Sequence, residues 1–255
     1  MVDAPPVAEP APTAPRSVSF VLPAFNEATN IGRAVQRCVE VGEGLGRDFE
    51  VVVVDDGSRD ETRAIVEAMA AADGRVRTVH HARNRGYGAA LKSGLFAATR
   101  ELVFFTDADL QFDVAEIDKL LAHAEAYPIV AGYRAPRRDG WGRRFNGWAW
   151  TRLVDALFGV GVRDVDCAFK VFDRRIFDRI PVYSIGAFVN TEILVRAQAE
   201  GFGMVEVPVS HFPRTAGVAT GAHPKVILKA VHELWLLRAE LRRLDGPSRG
   251  HERTA

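Results

Sequence analysis

Cysteine is almost missing from this chain: among 255 residues only Cys38 and Cys167 carry a thiol. Two such distant cysteines match no metal-ligand spacing and build no disulfide framework, which excludes stapled secreted scaffolds and zinc modules. Both read as small buried hydrophobes, and a reducing compartment is the default. An excess of charge is missing too. Lys and Arg total 33, Asp and Glu 33, for a formal net charge of +0. That balance argues against a general nucleic-acid binder, although local patches stay open. No apolar run approaches the ~18 residues of a spanning helix. The N-terminus has neither the basic nor the apolar region of a signal peptide. The expected location is therefore the cytoplasm, or peripherally the cytoplasmic face of a membrane. No internal repeat is visible. The length suits one large domain, or a domain with an appendage.

Residues 1–16 are rich in Ala and Pro and are expected to form a disordered tail. Buried-strand patterns follow at 17–22, 49–54, 76–81, 102–106, 128–132, 169–172 and 204–209. Helical patterns fall near 31–41 with Asn30 as cap, after the capping box Ser58-Arg59-Asp60-Glu61, and at 89–99. Others fall at 115–126 with Asp113 as cap, at 191–200 and at 225–244. The last has an apolar face of Ile227, Val231, Leu234, Leu237, Leu241 and Leu244. Between 134 and 152 the pattern loosens into an arginine-rich stretch that also holds Trp141, Phe145, Trp148 and Trp150. Alternating strands and helices predict an α/β fold, a mostly parallel sheet with helices on both faces. The domain plan is a catalytic unit over 17–212, an active-site loop and amphipathic helix over 213–244, and a disordered tail over 245–255.

The chemistry concentrates after the fourth strand, where Leu102-Val103-Phe104-Phe105-Thr106 runs into Asp107-Ala108-Asp109-Leu110-Gln111. Residues i and i+2 of an extended chain share a face, so Asp107 and Asp109 can converge just past the strand end. Open α/β sheets bind ligands there. Two carboxylates and the Gln111 amide oxygen form a hard oxygen set suited to Mg²⁺ or Mn²⁺, with positions left for substrate phosphates. Asn26 and Glu27 after the first strand, with Asp55 and Asp56 after the second, supply acceptors for the base and ribose of a nucleotide. Two other nucleotide motifs fail. Gly86-Tyr87-Gly88-Ala89-Ala90-Leu91-Lys92-Ser93 has Leu91 where a P-loop needs glycine, which places Lys92 within a helix. Gly42-Glu43-Gly44-Leu45-Gly46 follows a helix instead of a strand, against a dinucleotide fold.

Taken together and in order, Pro23-Ala24-Phe25-Asn26-Glu27, Val54-Asp55-Asp56-Gly57-Ser58, Asn84-Arg85-Gly86 and Asp107-Ala108-Asp109-Leu110-Gln111 resemble family-2 glycosyltransferases of GT-A fold. The nearest branch is the dolichol-phosphate mannosyltransferase-like one, which makes polyprenyl-phosphate sugars. The likeness runs from about 18 to 228. It implies Asp107, Asp109 and Gln111 as metal ligands, and Pro23, Ala24, Glu27 and Asp55 as nucleoside contacts. It continues through Gly132-Tyr133-Arg134, Asp166-Cys167-Ala168-Phe169-Lys170 and His211-Phe212-Pro213-Arg214 with Lys225. Tyr133, the Cys167-Ala168 pair, Lys170 and the extra residues between Gly217 and Lys225 depart from the family pattern.

The implied reaction is inverting transfer of a hexose from GDP-mannose or a UDP-hexose to a polyprenyl (dolichyl-type) phosphate. A phosphomonoester has a second pKa of roughly 6, so it is already a dianionic nucleophile at neutral pH. The site then has only to hold two anionic groups together. Arg134, Arg143 or Arg144 are expected to clamp the acceptor phosphate, and Arg214 with Lys225 to close over the diphosphate. With a soluble or polysaccharide hydroxyl acceptor instead, a general base is required, and Asp166 or Glu192 is the candidate. A non-catalytic nucleotide-sugar-binding membrane adaptor is a third possibility. The basic, Trp-bearing segment 141–150 is expected to face lipid. For Trp235, packing into the core and facing lipid stand level.

Overall fold

The computed structural model describes residues 15–136, 141–213 and 224–244. The sheet has the seven strands expected: β1 (Val18–Ala24), β2 (Phe49–Asp55), β3 (Val76–His80), β4 (Leu102–Thr106), β5 (Ile129–Arg134), β6 (Phe169–Asp173) and β7 (Met204–Val209). Their order across the sheet is β3-β2-β1-β4-β6-β5-β7. β1 pairs in parallel with β2 and β4, β2 with β3, and β5 with β7. β6 alone runs the other way, antiparallel to both β4 and β5. Every residue of β6 is buried, Lys170 and Asp173 included, and a strand buried throughout reads the same in either direction, so its reversal was not legible in the pattern.

The helices are α1 (Ile31–Gly44), α2 (Thr62–Ala72), α3 (Tyr87–Ala97), α4 (Ile117–Leu121), α5 (Trp141–Phe158), α6 (Ile176–Arg179), α7 (Val189–Ala199) and α8 (Pro224–Leu244). Lys92 lies inside α3, as the missing P-loop glycine predicted. From Trp141 onward the arginine-rich stretch is helical, as α5. Phenylalanines bind the middle of the sheet. Phe20 meets Phe104 edge-on at 5.6 Å between centroids, and Phe104 meets Phe169 at 4.7 Å. Such pairs add about 0.5–1.5 kcal/mol each beyond the area they bury.

Several caps differ from expectation. Asn30 does precede α1, but its side chain makes no cap bond; its amide donates to Glu27 Oε2 at 2.8 Å. The Ser58 box is not formed, because Ser58 Oγ accepts from the Asn26 N–H at 2.9 Å. α2 instead starts at Thr62, whose N–H donates to Asp60 Oδ1 at 3.0 Å. Asp113 caps as expected, accepting from Ala115 N at 3.1 Å, but the helix after it divides into a short 3-10 turn (Val114–Glu116) and α4. On α8, Leu234 and Leu237 are buried, Val231 and Leu241 half-buried and Trp235 exposed; the Ile227 and Leu244 side chains fall outside the described residues. No helix among the described residues is long and apolar enough to cross a membrane.

The expected tails at 1–16 and 245–255 lie outside the described residues apart from Pro15 and Arg16. Arg16 belongs to the folded unit. Its Nη2 stands 2.7 Å from Asp173 Oδ2 at the end of β6. Burial pushes the Asp173 carboxyl up, yet hydrogen bonds from Arg175 and Arg16 outweigh it and hold the group down at about 2. That lies below the ~3.9 of an unfolded Asp. The stabilisation is therefore fully present above about pH 4 and is lost as pH falls through about 2. Arg16→Ala should lower the melting temperature by about 2–4 °C at neutral pH. The gap to wild type should narrow as the pH falls through that window. A gap that does not change with pH would assign the effect to the Arg16 bonds with the Ala124 and Glu101 carbonyls.

Candidate active site

Because β1, β2, β3, β4, β5 and β7 point one way, their carboxyl ends and the loops after them share one edge of the sheet. The reversed β6 presents its start there: Phe169 stands opposite Thr106, the last residue of β4. The segment 164–168 is thereby delivered beside the turn that carries Asp107 and Asp109. The acidic loops of β1, β2 and β4 thus meet at one edge, as expected.

The first two of these loops are cross-linked. Asn26 Oδ1 accepts from Arg59 N at 2.8 Å, Glu27 N donates to Thr62 Oγ1 at 2.8 Å, and Ala28 N donates to Asp60 Oδ2 at 3.1 Å. Pro23 and Ala24 are the buried end of β1, and Ala24 O accepts from Asp56 N at 2.9 Å. Asp55 is buried, with Oδ1 accepting from Ser58 N at 2.9 Å and Oδ2 3.4 Å from His80 Nδ1. Asp56 is more fully committed to the fold. It accepts from the N–H groups of Arg85 and Gly86 at 2.9 and 2.8 Å, and lies 2.6 Å from His81 Nδ1. Its carboxylate shapes the loop after β3, a structural task that the sequence pattern did not reveal.

In the turn after β4, Asp109 is buried and its Oδ1 accepts from Gln111 N at 3.1 Å. Leu110, between them, has φ of 59°; Asn26 has φ of 54°. Both non-glycine residues with positive φ among the described residues therefore lie in these loops, a conformation typical of functional sites. Tyr87, the first residue of α3, lies close enough to Asp107 to feel its charge. Burial first, and then the charge of Asp107, hold that phenol well above its ordinary range. The Gln111 amide is turned towards the segment after β7. Its Nε2 donates to Phe212 O at 3.1 Å, while Phe212 N donates to Gln111 O at 2.8 Å. This two-way clasp brings the buried His211, whose ring lies 5.4 Å from that of Phe112, up to the turn.

The model of Glycosyl transferase family 2 matches residues 19–181 of the chain. The chain belongs to glycosyltransferase family 2. Glycosyltransferase AglD of Haloferax volcanii is 37% identical over 212 residues, covering 77% of this chain. This chain covers 33% of that relative, about a third of its length. Among solved structures, mannosyl-3-phosphoglycerate synthase from Rubrobacter xylanophilus superposes with TM-score 0.69 at 20% identity, over 91% of this chain and 75% of that one. Glucosyl-3-phosphoglycerate synthase from Mycobacterium tuberculosis, solved with Mn²⁺, UDP-glucose and phosphoglyceric acid, gives 0.67 at 22%, over 89% and 79%. These similarities establish the GT-A fold.

Within this family-2 frame the remaining expected residues separate into groups. Arg134 directs Nε and Nη2 at Asp164, 2.6 and 2.7 Å away, so that edge of its guanidinium is engaged inside the protein. Asp166 is half-buried in the segment delivered by β6. Lys170 is fully buried; its Nζ donates to the carbonyls of Val165 and Cys167, which holds that segment in place. Desolvation lowers its pKa. Glu192 is tied into the fold. Its carboxylate accepts from Tyr183 N at 3.0 Å, Ser184 N at 2.7 Å and Arg196 Nε at 2.9 Å. Arg144 is exposed on α5, and no hydrogen bond or ion pair among the described residues ties it to the turn. Lys225 lies in the first turn of α8; its side chain, that of Arg143, and Arg214 as a whole fall outside the described residues. Asp164 was missed because its partner, Arg134, lies far from it in the sequence.

Loss of the Asp56 carboxylate strands two backbone N–H groups, at about 1–3 kcal/mol for each that stays buried. Asp56→Ala should therefore destabilise by about 2–4 kcal/mol in urea unfolding. A change within about 0.5 kcal/mol, the scale of an ordinary surface substitution, would contradict the structural role.

Proposed function

We propose that this glycosyltransferase moves a hexose, with inversion, from a nucleotide-diphosphate sugar to a polyprenyl phosphate at a membrane surface. The observation that carries the reading is the Asp107–Asp109 turn, placed where the strand ends converge and flanked by the two cross-linked acidic loops. Pro23, Ala24, Glu27 and Asp55 border the nucleoside, while Asn26 and Asp56 shape its cleft through backbone bonds. The donor set fits Mg²⁺ or Mn²⁺. Asp107 and Asp109 are hard oxygen ligands, and no three His, Cys, Asp or Glu side chains among the described residues form a ready cage. An ion held there draws further ligands from a diphosphate, as Mg²⁺ sites do. The Gln111 oxygen is an available third donor on the chain. When bound, the metal supplies Lewis-acid stabilisation of the leaving diphosphate.

The chain's own residues do the rest. Arg134 holds the Asp164 segment, and Arg144, Arg214 and Lys225 are the cations assigned to the two phosphate groups. A phosphate acceptor needs no protein base. Asp166 takes that role only in a second reading, with a soluble hydroxyl acceptor. That reading is favoured by the structural neighbour solved with phosphoglyceric acid.

A lipid acceptor accounts for the outer face of α5. Trp141, Phe145 and Trp148 are 82%, 53% and 59% exposed. They share one helical face at i, i+4 and i+7. Trp141 and Phe145 stack at 6.0 Å, and Arg144 and Arg152 are exposed on the same helix. Aromatic and basic residues in this arrangement suit an anionic bilayer interface. Leu228, Trp235 and Leu236 of α8 are exposed as well.

Asp109→Ala should reduce turnover about a hundredfold or more while the fold persists. With radiolabelled donor and membranes, product extractable into organic solvent supports the lipid acceptor. Label that stays in the aqueous phase supports the second reading, and absence of nucleoside-diphosphate release with any acceptor overturns both. The triple change Trp141→Ser, Phe145→Ser and Trp148→Ser should weaken binding to phosphatidylglycerol vesicles at least about tenfold. Unchanged vesicle binding would remove α5 from the interface.

A further inference from the structure

A cavity of about 390 Å³ opens between the loop after β3, the segment before α7 and the first half of α8. Since β3 runs parallel to β2, and β2 and β4 to β1, that loop leaves the sheet at the edge that carries Asp107 and Asp109. We infer that this cavity receives the hexose of the donor, with Glu233 of α8 as the specificity-determining acceptor for its hydroxyls. This rests on the reading of the chain as a transferase that uses a nucleotide-diphosphate sugar.

The lining has the chemistry of a carbohydrate site. Asn84, Arg85, Lys229 and Glu233 bring hydrogen-bond donors and acceptors, and Ile185 and Phe188 bring apolar surface. The charges of Lys229 and Glu233 offset each other, which suits a neutral ring of hydroxyls, each both donor and acceptor, more than a phosphate. Ligand pockets run from roughly 300 to 1,000 Å³, so this one suits a single sugar ring better than an entire nucleotide sugar. The hexose is also the one part of the donor still without a place. The nucleoside is assigned to the loops after β1 and β2, and the diphosphate to the metal turn, Arg214 and Lys225. Lys229 and Glu233 follow Lys225 along α8 by about one and two turns, each a rise of about 5.4 Å, which puts a sugar in the cavity next to the diphosphate.

Glu233 is held for this task. Its Oε2 accepts from Ser184 Oγ at 3.2 Å, and the buried Ser184 is fixed in turn by its N–H, which donates to Glu192 Oε2 at 2.7 Å. The other oxygen, Oε1, stands 3.8 Å from Lys229 Nζ, beyond hydrogen-bond reach, and accepts no hydrogen bond among the described residues. The opposite wall is equally fixed. Arg85 N and Gly86 N donate to Asp56 at 2.9 and 2.8 Å. A Cβ on Gly86, where φ is +102°, would lie 2.5 Å from Ile185 O, so only glycine permits this approach. The side chains of Asn84 and Arg85 are exposed and make no hydrogen bond or ion pair among the described residues. A sugar entering the cavity thus meets a carboxylate already oriented, and a hydroxyl donating to it forms a charge-assisted bond.

The test is isothermal titration calorimetry of the full-length protein in Mn²⁺ with UDP, GDP, UDP-glucose, UDP-galactose, UDP-N-acetylglucosamine and GDP-mannose. The sugar nucleotide that binds wild type most tightly is the probe, and its parent nucleoside diphosphate is the control. Glu233→Gln and Glu233→Ala should weaken the probe about ten- to a hundredfold and leave the control within about twofold, the loss of a hydrogen bond to a charged group. A merely structural role weakens both ligands alike. Unchanged affinity for the probe, or an equal loss for probe and control, overturns the inference and leaves the transferase reading intact. So does wild-type binding of a nucleoside diphosphate without any of the sugar nucleotides. Should both Glu233 variants fail to fold, Asn84→Ala is judged by the same outcomes. Absence of binding by wild type to every one of these ligands overturns the donor reading itself, and the hexose site falls with it.

Discussion

Thr106 and Phe169 stand opposite each other across the antiparallel β4–β6 pair, and that register decides which segments can reach the carboxylate turn. A parallel β6 would deliver its far end, Asp173, to this edge and send Asp164 and Asp166 to the opposite side. The reversal instead lets Asp164 meet Arg134 at the end of β5, and lets Lys170 reach back to the carbonyls of Val165 and Cys167. Lys170 is buried with its Nζ 5.6 Å from the Phe105 ring centroid. An ammonium so placed is tolerable only because carbonyl oxygens and the nearby Asp164 and Asp166 offset its desolvation.

The buried acids around the site divide by what their oxygens touch. Asp56 and Glu192 accept from backbone N–H groups, and each ties a loop to a neighbouring element. Glu192 also bonds Arg196, whose other nitrogens reach Glu240 on α8 at 3.0 and 2.8 Å. The last helix is therefore joined through α7 to the segment that braces α3. Asp109 accepts instead from the Gln111 N–H within its own turn.

What could be read from the sequence was local. Buried apolar runs located the strands, and Asp-rich loops after β2 and β4 located the working edge, because strand ends and ligands coincide in such sheets. Asp113 was legible as a cap for the same reason, since its partner Ala115 is two residues away. Features set by distant partners were not. Ser58 had the spacing of a capping box, yet the Asn26 N–H took its oxygen. Arg134 and Glu192 had plausible chemistry, but Asp164 and the backbone at 183–184 met them first. Residue type suggests what a side chain can do, and the tertiary neighbours decide what it does.

The left-handed leucine in the β4 turn has a thermodynamic meaning of its own. Leu110 at φ of 59° occupies a backbone well that a free peptide with this side chain rarely visits, at a cost of about 1–3 kcal/mol. The sheet below and the Phe212 clasp above impose it while the chain folds. An arriving ligand meets a loop whose disorder has already been removed, and its binding free energy is not drained by organising the receptor.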